Sequence, residues 1–283
     1  MTSEERKFSD WDIHGFGNAP AMLYPEIDST HSLMKSLASA GKIVPGTLIV
    51  ADTQTAGRGR HERTWVSPAG KNIYFNILIP LDGIPLNRSA QVTQVAALTF
   101  AEVFRQLQGD SPSQATGSSP QVTVKWPNDI LFGKSKFCGI LAEVVHLSGS
   151  PAISMGVGIN VNGDSADYAH LARAVTTLKE IAGRTINREK LLQALVGSLE
   201  RAIGQFRSFG IGPWVNAWRK MDHFIGARGT IIVSERCTDT NRDGGAGVVK
   251  KEGTILDMNE DGSLVFKCDD GQVETVYSAD LEI

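Results

Sequence analysis

The sequence has few means of cross-linking itself and no segment apolar enough to anchor it. Of 283 residues only three are cysteine: Cys138, Cys237 and Cys268. Their number is odd, they lie far apart and no C-x-x-C pair occurs, so neither a disulfide framework nor a zinc site is expected. Reduced thiols in a cytoplasmic setting are the simplest reading. No run of about 18 apolar residues exists, so no transmembrane helix is expected. The first stretch, MTSEERKFSDWDIHG, is polar and charged and lacks the apolar centre of a secretory signal. Neither sign of charge dominates. A net charge of −3 argues against the basic surface that non-specific nucleic-acid binding requires. There are no internal repeats, and no G-x-x-x-x-G-K-[ST] loop opens a helix. The six histidines are scattered and form no convincing Ser-His-Asp or Cys-His set.

What is present suits an ordinary globular protein. At 41% hydrophobic and 21% charged, the chain can bury one large domain and one small one. Residues 1 to about 20 read as a loose lead-in. Asp28-Ser29-Thr30 is a helix-start signal ahead of Leu33, Met34 and Leu37, with a stop near Gly41. Thr47 to Ala51 reads as a short buried strand, and Asn72 to Ile79 as another, closed by Pro80. From Ser89 to Leu107, Val92, Val95, Ala96, Thr99, Val103, Phe104 and Leu107 recur at helical spacing. Residues 110 to 120 are small, polar and proline-bearing, a surface loop. Val122–Trp126, Phe137–Val145 and Ile153–Val161 are strand-like. A helix from the cap Asn187 to Phe209 carries the stripe Leu191, Leu192, Leu195, Leu199, Ile203 and Phe206, and Gly210 ends it. Beyond Ile225 the helical period vanishes. Short β-rich runs at 229–233, 247–257, 263–268 and 272–277 alternate with Asp-Gly turns, the pattern of a small β-barrel. The boundary is placed at 222–224, giving units 1–224 and 225–283.

Four segments carry chemistry. Gln54 to Trp65 interleaves Gly57 and Gly59 with Arg58, Arg60 and Arg63, combining close backbone approach with forked donors for phosphate or carboxylate. Trp65 offers a face for a flat ring. The same residues could equally form a solvated basic turn. In Lys125-Trp126-Pro127-Asn128-Asp129 the proline ends a strand and places Asn128 and Asp129 at its tip, where α/β folds hold ligands; composition alone favours a plain turn. Lys136 leads into the apolar strand Phe137-Cys138-Gly139-Ile140, either snorkelling to solvent or neutralising an anion. Gly156-Val157-Gly158-Ile159-Asn160 spaces two glycines within a strand, a sign of close approach, but lacks the third glycine of a dinucleotide fingerprint.

In this order, and with Asp28-Ser29-Thr30 ahead of them, these segments resemble the catalytic domain of the biotin–protein ligase family. The texture beyond residue 225 is similar to that family's SH3-like C-terminal barrel. The resemblance implies an α/β (α+β) fold: a mixed β-sheet flanked by helices, class II synthetase-like, followed by the small barrel. It implies ATP and biotin as substrates with Mg²⁺, and a biotin carboxyl carrier protein, usually that of acetyl-CoA carboxylase, as partner. Biotin would be held by Ser29, Thr30, His31, Gln54, Gly57, Arg58, Gly59, Arg60, Lys136 and Gly139. ATP would be held by Arg60, Arg63, Trp65, Asn128, Lys136, Gly156, Gly158 and Asn160. Lys136, Arg58 and Arg60 would be the catalytic cations, and Asp129 a metal ligand. His31 departs from the family's usual asparagine, and His61-Glu62 lowers the charge of the arginine loop. A lipoate–protein ligase would share fold and adenylate chemistry but carries other signatures. A DNA-binding repressor needs a helix-turn-helix module, for which the early Asp28-Ser29-Thr30 leaves no room. The resemblance leaves monomer and homodimer both open, with no membrane or DNA partner expected.

Overall fold

The structure, a computed structural model, describes residues 6–60, 63–108, 120–147, 149–171, 173–235 and 247–283. Seven strands form the large sheet: β1 (Ala21–Ile27), β2 (Leu48–Gln54), β3 (Ile73–Pro80), β4 (Val122–Lys125), β5 (Asp129–Phe132), β6 (Ser135–Leu147) and β7 (Ser150–Ile159). Their order is β1-β2-β3-β7-β6-β5-β4. Only β1 and β2 run parallel; every other pair is antiparallel, so the sheet is mixed.

Side chains alternate across each strand, and this sheet uses its two faces differently. In β3 Ile73, Phe75, Ile77 and Ile79 enter the main core. From β7 Met155, Val157 and Ile159 join them. Two helices cover this face, α2 (Ser89–Leu107) and α4 (Arg188–Phe209), and pack against each other. The opposite face receives α1 (Thr30–Ser39), which buries Met34 and Ala38 against Ile49, Leu78, Val145 and Leu147. Beyond the reach of α1 that face carries glycines and polar residues, and there the cleft opens.

The long helices lie where their periodicity puts them, and α1 and α4 carry side-chain N-caps. The Ser29 side chain accepts from the His31 and Ser32 amides, and Asn187 from the Lys190 amide at 3.0 Å. Such caps contribute about 1 kcal/mol each. Gly210 closes α4 with φ +65°, a conformation costly for any residue with a Cβ.

Other elements differ from expectation. The lead-in is not loose: Trp11 and Ile13 are buried, with the Arg188 guanidinium 5.2 Å from the Trp11 ring and Phe8 at its edge. β1 follows directly; its Pro25 is tolerated because β1 is an edge strand. Pro80 ends β3 from within, paired with Ala152. A short helix α3 (Leu178–Ala182) and a further helix α5 (Gly212–Met221) complete this part, α5 burying Val215, Trp218 and Met221. Most of the polar loops at 110–120 and 235–247, and Cys237, lie outside the described residues.

The second sheet is antiparallel, with β8 (Arg228–Glu235), β9 (Gly247–Met258), β10 (Leu264–Cys268), β11 (Val273–Val276) and β12 (Asp280–Glu282) in the order β11-β10-β9-β8-β12. This five-stranded arrangement fits an SH3-like unit. It is pinned to the first sheet's helices. Gly262, at φ +81°, accepts at its carbonyl from Gln94 (2.6 Å) and from the Trp126 indole (3.1 Å). Arg219 of α5 pairs with Asp257 at 2.9 Å and donates to the Met258 carbonyl at 2.6 Å. One apolar cluster runs through both units, from Phe75 and Trp126 to Ile231 and Phe266.

Candidate active site

The α1 start, the loop after β2, the β4–β5 turn, β6, β7 and β12 converge on one cleft of about 770 Å³. Its wall includes Ser29, Thr30, His31, Gln54, Arg58, Gly59, Arg60, Arg63, Trp65, Asn128, Asp129, Lys136, Gly139, Gly156 and Gly158, fifteen positions singled out from the sequence. Gly57 and Asn160 do not border it, and His61 and Glu62 lie outside the described residues.

At one end the polar groups hold one another. The Thr30 amide and hydroxyl both donate to Gln54 Oε1, at 2.8 and 3.0 Å. Gln54 Nε2 donates to Ser67 Oγ at 3.1 Å, which donates on to the Trp65 carbonyl at 3.0 Å. Each amide atom of Gln54 thus has a partner, and its plane is fixed. Beneath lies a second network that the sequence motifs do not include. Asn76 Nδ2 is 3.1 Å from His31 Nδ1, and Ser154 Oγ donates to Asn76 Oδ1 at 3.1 Å. His31 Nε2 lies 3.3 Å from Glu143, whose carboxylate also takes the Lys35 ammonium at 2.5 Å. Burial holds the His31 pKa below the usual imidazole range, Glu143 opposing, so His31 is neutral at pH 7. The signal for this network was Asn76, one polar residue in the apolar run Ile73–Pro80.

The glycines serve a purpose other than the one expected. A Cβ on Gly158 would stand 2.4 Å from the Trp65 ring, and one on Gly139 2.9 Å from it. Gly139 and Gly158 are directly paired across β6 and β7, so together they form a hollow that the indole fills. The room at Gly158 is taken by the protein's own tryptophan. Gly57 likewise accommodates the protein itself: a Cβ there would meet the Trp65 carbonyl at 2.5 Å. Trp65 is buried, its indole N–H has no hydrogen-bond partner among the described residues, and two cations flank it, Lys136 Nζ at 5.4 Å and Arg173 at 5.9 Å. Arg173 had no signal beyond being one more charge in a polar segment.

Lys136 does not snorkel away. It is mostly buried and paired with Asp129 at 2.5 Å across neighbouring strands. An ammonium has three donors, so one can serve Asp129 while others face the cleft. Asn128 is committed to the backbone, donating to the Ile140 carbonyl at 2.6 Å. Lys125 also borders the cleft, and burial pushes its pKa down. Asn160 is buried behind Trp65, where it donates to the Thr176 carbonyl at 3.4 Å. Its side chain tethers the segment ahead of α3. Burial raises the Cys138 thiol pKa well above its ordinary value, so it is no nucleophile.

The arginine loop meets the second sheet. Arg60 donates to the Ala279 carbonyl at 3.0 Å and lies 3.4 Å from Asp280, and Arg63 lies 3.0 Å from Asp280. β12 is three residues long, too short for any periodicity to announce it. Among the described residues no group of three or more His, Cys, Asp or Glu is placed to hold a metal.

The cleft therefore joins a neutral hydrogen-bonding pocket, a flat ring and a set of cations, suited to an acid at one end and a nucleotide at the other. Residues 23–160 match the Biotin/lipoate A/B protein ligase family. The bifunctional ligase/repressor BirA of Escherichia coli K12 is 32% identical over 249 residues, 88% of this chain and 71% of that protein. The biotin–[acetyl-CoA-carboxylase] ligase of Paracoccus denitrificans is 32% identical over 188 residues, 64% of this chain and 74% of that one. In fold, the chain is similar to the biotin protein ligase from Aquifex aeolicus solved with biotin and ATP: TM-score 0.69, 24% identity, 93% of this chain and 97% of that one. The chain belongs to the biotin/lipoate A/B protein ligase family, on its biotin–protein ligase side.

Proposed function

We propose that the chain is an ATP-dependent biotin–protein ligase and that the cleft carries both half-reactions. The observation that carries this reading is the shared cavity: the Thr30–Gln54 pair, Lys136 and the arginines 58, 60 and 63 all border it. Biotin's neutral ureido ring needs matched donors and acceptors when buried, and Ser29, Thr30 and Gln54 supply them. The carboxylate of biotin attacks the α-phosphate of ATP, and pyrophosphate leaves. The lysine amine of a biotin carboxyl carrier domain, that of acetyl-CoA carboxylase, then attacks the acyl carbon, and AMP leaves. No covalent nucleophile is required.

The barrier is the meeting of two anions. Lys136 would meet both, with donors to spare for the carboxylate and the α-phosphate, and Arg58 borders the same cleft. Arg60 and Arg63 face the outer phosphates. Fixed cations in a site shielded from water stabilise charge at little reorganisation cost, and the fixed Gln54 amide supplies orientation. Trp65 packs against the acyl chain and the base. Mg²⁺ usually combines one or two carboxylates with substrate phosphates; Asp129 is the carboxylate that would hold it, and the ion would shield the departing pyrophosphate. The division into 1–224 and 225–283, and a cytoplasmic setting in which Cys138 and Cys268 stay free thiols, belong to the same proposal.

The test is pyrophosphate–ATP exchange with purified protein and no acid, biotin, lipoate or octanoate. Exchange that depends on biotin is expected. Exchange with lipoate instead would move the substrate assignment and the roles of Ser29, Thr30 and Gln54. No exchange with any acid would point to a protein that binds biotin without activating it.

A further inference from the structure

The two outer arginines are not waiting in solvent for a phosphate. Asp280 bridges them, Oδ1 at 3.4 Å from Arg60 Nη1 and Oδ2 at 3.0 Å from Arg63 Nη2. Glu282 stands 3.8 Å from Arg63, Ser278 Oγ 3.5 Å from Arg60, and the Ala279 carbonyl accepts from Arg60 at 3.0 Å. The Asp280 side chain is 9% exposed and that of Glu282 54%, so the first contact is shielded from water and the second is not. Asp280 and Glu282 both border the cleft. Their carboxylates offer a guanidinium the same charged, forked acceptors that a phosphate does.

The two sides of this contact differ in rigidity. β12 is laddered to β8 through Asp280–Ile232, Leu281–Ile231 and Glu282–Thr230. The arginines sit on a loop closed by a few backbone bonds, Gly59 to Arg63, Arg63 to Arg60 and Trp65 to Gly57. If the contact opens, β12 stays in its ladder and the Arg60 and Arg63 side chains are the part released.

We infer that Asp280, seconded by Glu282, is a positioning residue for the nucleotide: it holds Arg60 and Arg63 at the cleft mouth until a triphosphate displaces it, and so lowers nucleotide affinity. The inference rests on the phosphate role proposed above for these arginines. Two effects share one sign. A nucleotide binds only the fraction of molecules whose arginines are released, which weakens its apparent affinity by that fraction. After displacement the carboxylates face phosphates of like charge in the same cavity. What the contact supplies in return is a fixed placement of the two guanidinium groups when no nucleotide is present.

The test compares wild type, Arg60→Ala, Asp280→Asn and Glu282→Gln in the full chain by the KM for ATP in biotin-dependent exchange. Tryptic cleavage of the arginine loop without substrates is followed alongside. Asp280→Asn keeps shape and removes charge. It is expected to lower the KM for ATP about three- to tenfold and to speed loop cleavage. Glu282→Gln should lower the KM less, and Arg60→Ala should raise it. A merely structural role for Asp280 predicts the opposite sign, a raised KM with a lower melting temperature. If Arg60→Ala raises the KM but neither carboxylate variant lowers it, the positioning role is wrong and the phosphate role stands. If Arg60→Ala leaves the KM unchanged, both are wrong. Glu282 is half exposed, so its variant reports even if Asp280→Asn fails to fold.

Discussion

The two ends of the cleft are built in opposite ways. At the acid end the contacts that line the cleft are short and neutral, Thr30 to Gln54, Gln54 to Ser67 and Asn76 to His31, with the one ionic link, Lys35 to Glu143, set behind His31. At the nucleotide end the contacts are ionic, partly exposed and cross from one sheet to the other, Arg60 and Arg63 to Asp280 and Glu282. Buried hydrogen bonds with all partners satisfied keep one geometry, because breaking one strands a polar atom away from water. Ion pairs with an exposed partner, as Arg63 is here, contribute little and exchange partners more readily than a satisfied buried hydrogen bond. The first end is therefore a template and the second a clasp. An enzyme that makes a reactive acyl-adenylate and hands it to a macromolecule needs both: a fixed seat for the acid, and a mouth that closes and reopens.

The comparison is broken most severely at the residue between the two ends. Lys136→Ala removes a charge-assisted contact worth roughly 1.5–3 kcal/mol, about 10- to 150-fold in rate. Exchange should fall by at least that much while circular dichroism stays native; near-normal turnover would remove Lys136 from the mechanism. Next comes the template itself. Gln54→Ala leaves the Thr30 amide and Ser67 without their partner, and should raise the KM for biotin roughly tenfold with a smaller change for ATP. Equal changes in both constants would mean the two ends are not separable. The hollow under Trp65 ranks third. Gly158→Ala puts a methyl where the indole lies, and overpacking of this kind costs roughly 1–3 kcal/mol; chemical denaturation should show it, whereas an unchanged midpoint would place Trp65 elsewhere in solution.

The smallest effect sharpens the template through pH. The folded pKa of His31 is depressed, so the unfolded chain takes up its proton first as pH falls. The stability it contributes is present above the unfolded value of about 6.5 and is lost as pH drops toward the lowered folded value. Melting temperature should decline from pH 7.5 to 5.5, and His31→Asn should flatten that decline. A slope unaltered by the substitution would assign it to other groups.

What the sequence disclosed depended on how much chain each feature occupied. α2 spans Ser89–Leu107, and its apolar period runs unbroken over that stretch. α4 carried both its cap, Asn187, and its stop, Gly210. β5 and β12 are four and three residues long and leave no period to read. β1 holds a proline, which argues against a strand until the strand is known to be an edge. α5 did carry a signal, Pro213 in its first turn and Val215, Trp218 and Met221 at helical spacing, masked by the glycines ahead of it. In the site, the cations were legible because the arginine loop, Lys136 and the paired glycines follow Asp28-Ser29-Thr30 in one order, where the loop alone could as well be a solvated turn. Their partners were not: Arg60 and Asp280 are 220 positions apart in sequence, and no local pattern links them. The place of Asn160 was not legible either, since its position beside Trp65, Lys136 and Arg173 is set by tertiary packing.

The glycine hollow has an optical consequence. Trp11 and Trp218 are built into the core and Trp214 packs on the edge of Phe206; two tryptophans border the cleft, Trp126, whose indole N–H donates to the Gly262 carbonyl, and Trp65, whose ring is seated between two cations and whose N–H has no partner among the described residues. Any molecule entering beside Lys136 redistributes charge around the Trp65 indole, whose flanking cations stand 5.4 and 5.9 Å from its ring. Its fluorescence is thus a built-in gauge of occupancy, one that reads binding directly, without turnover and without an added label.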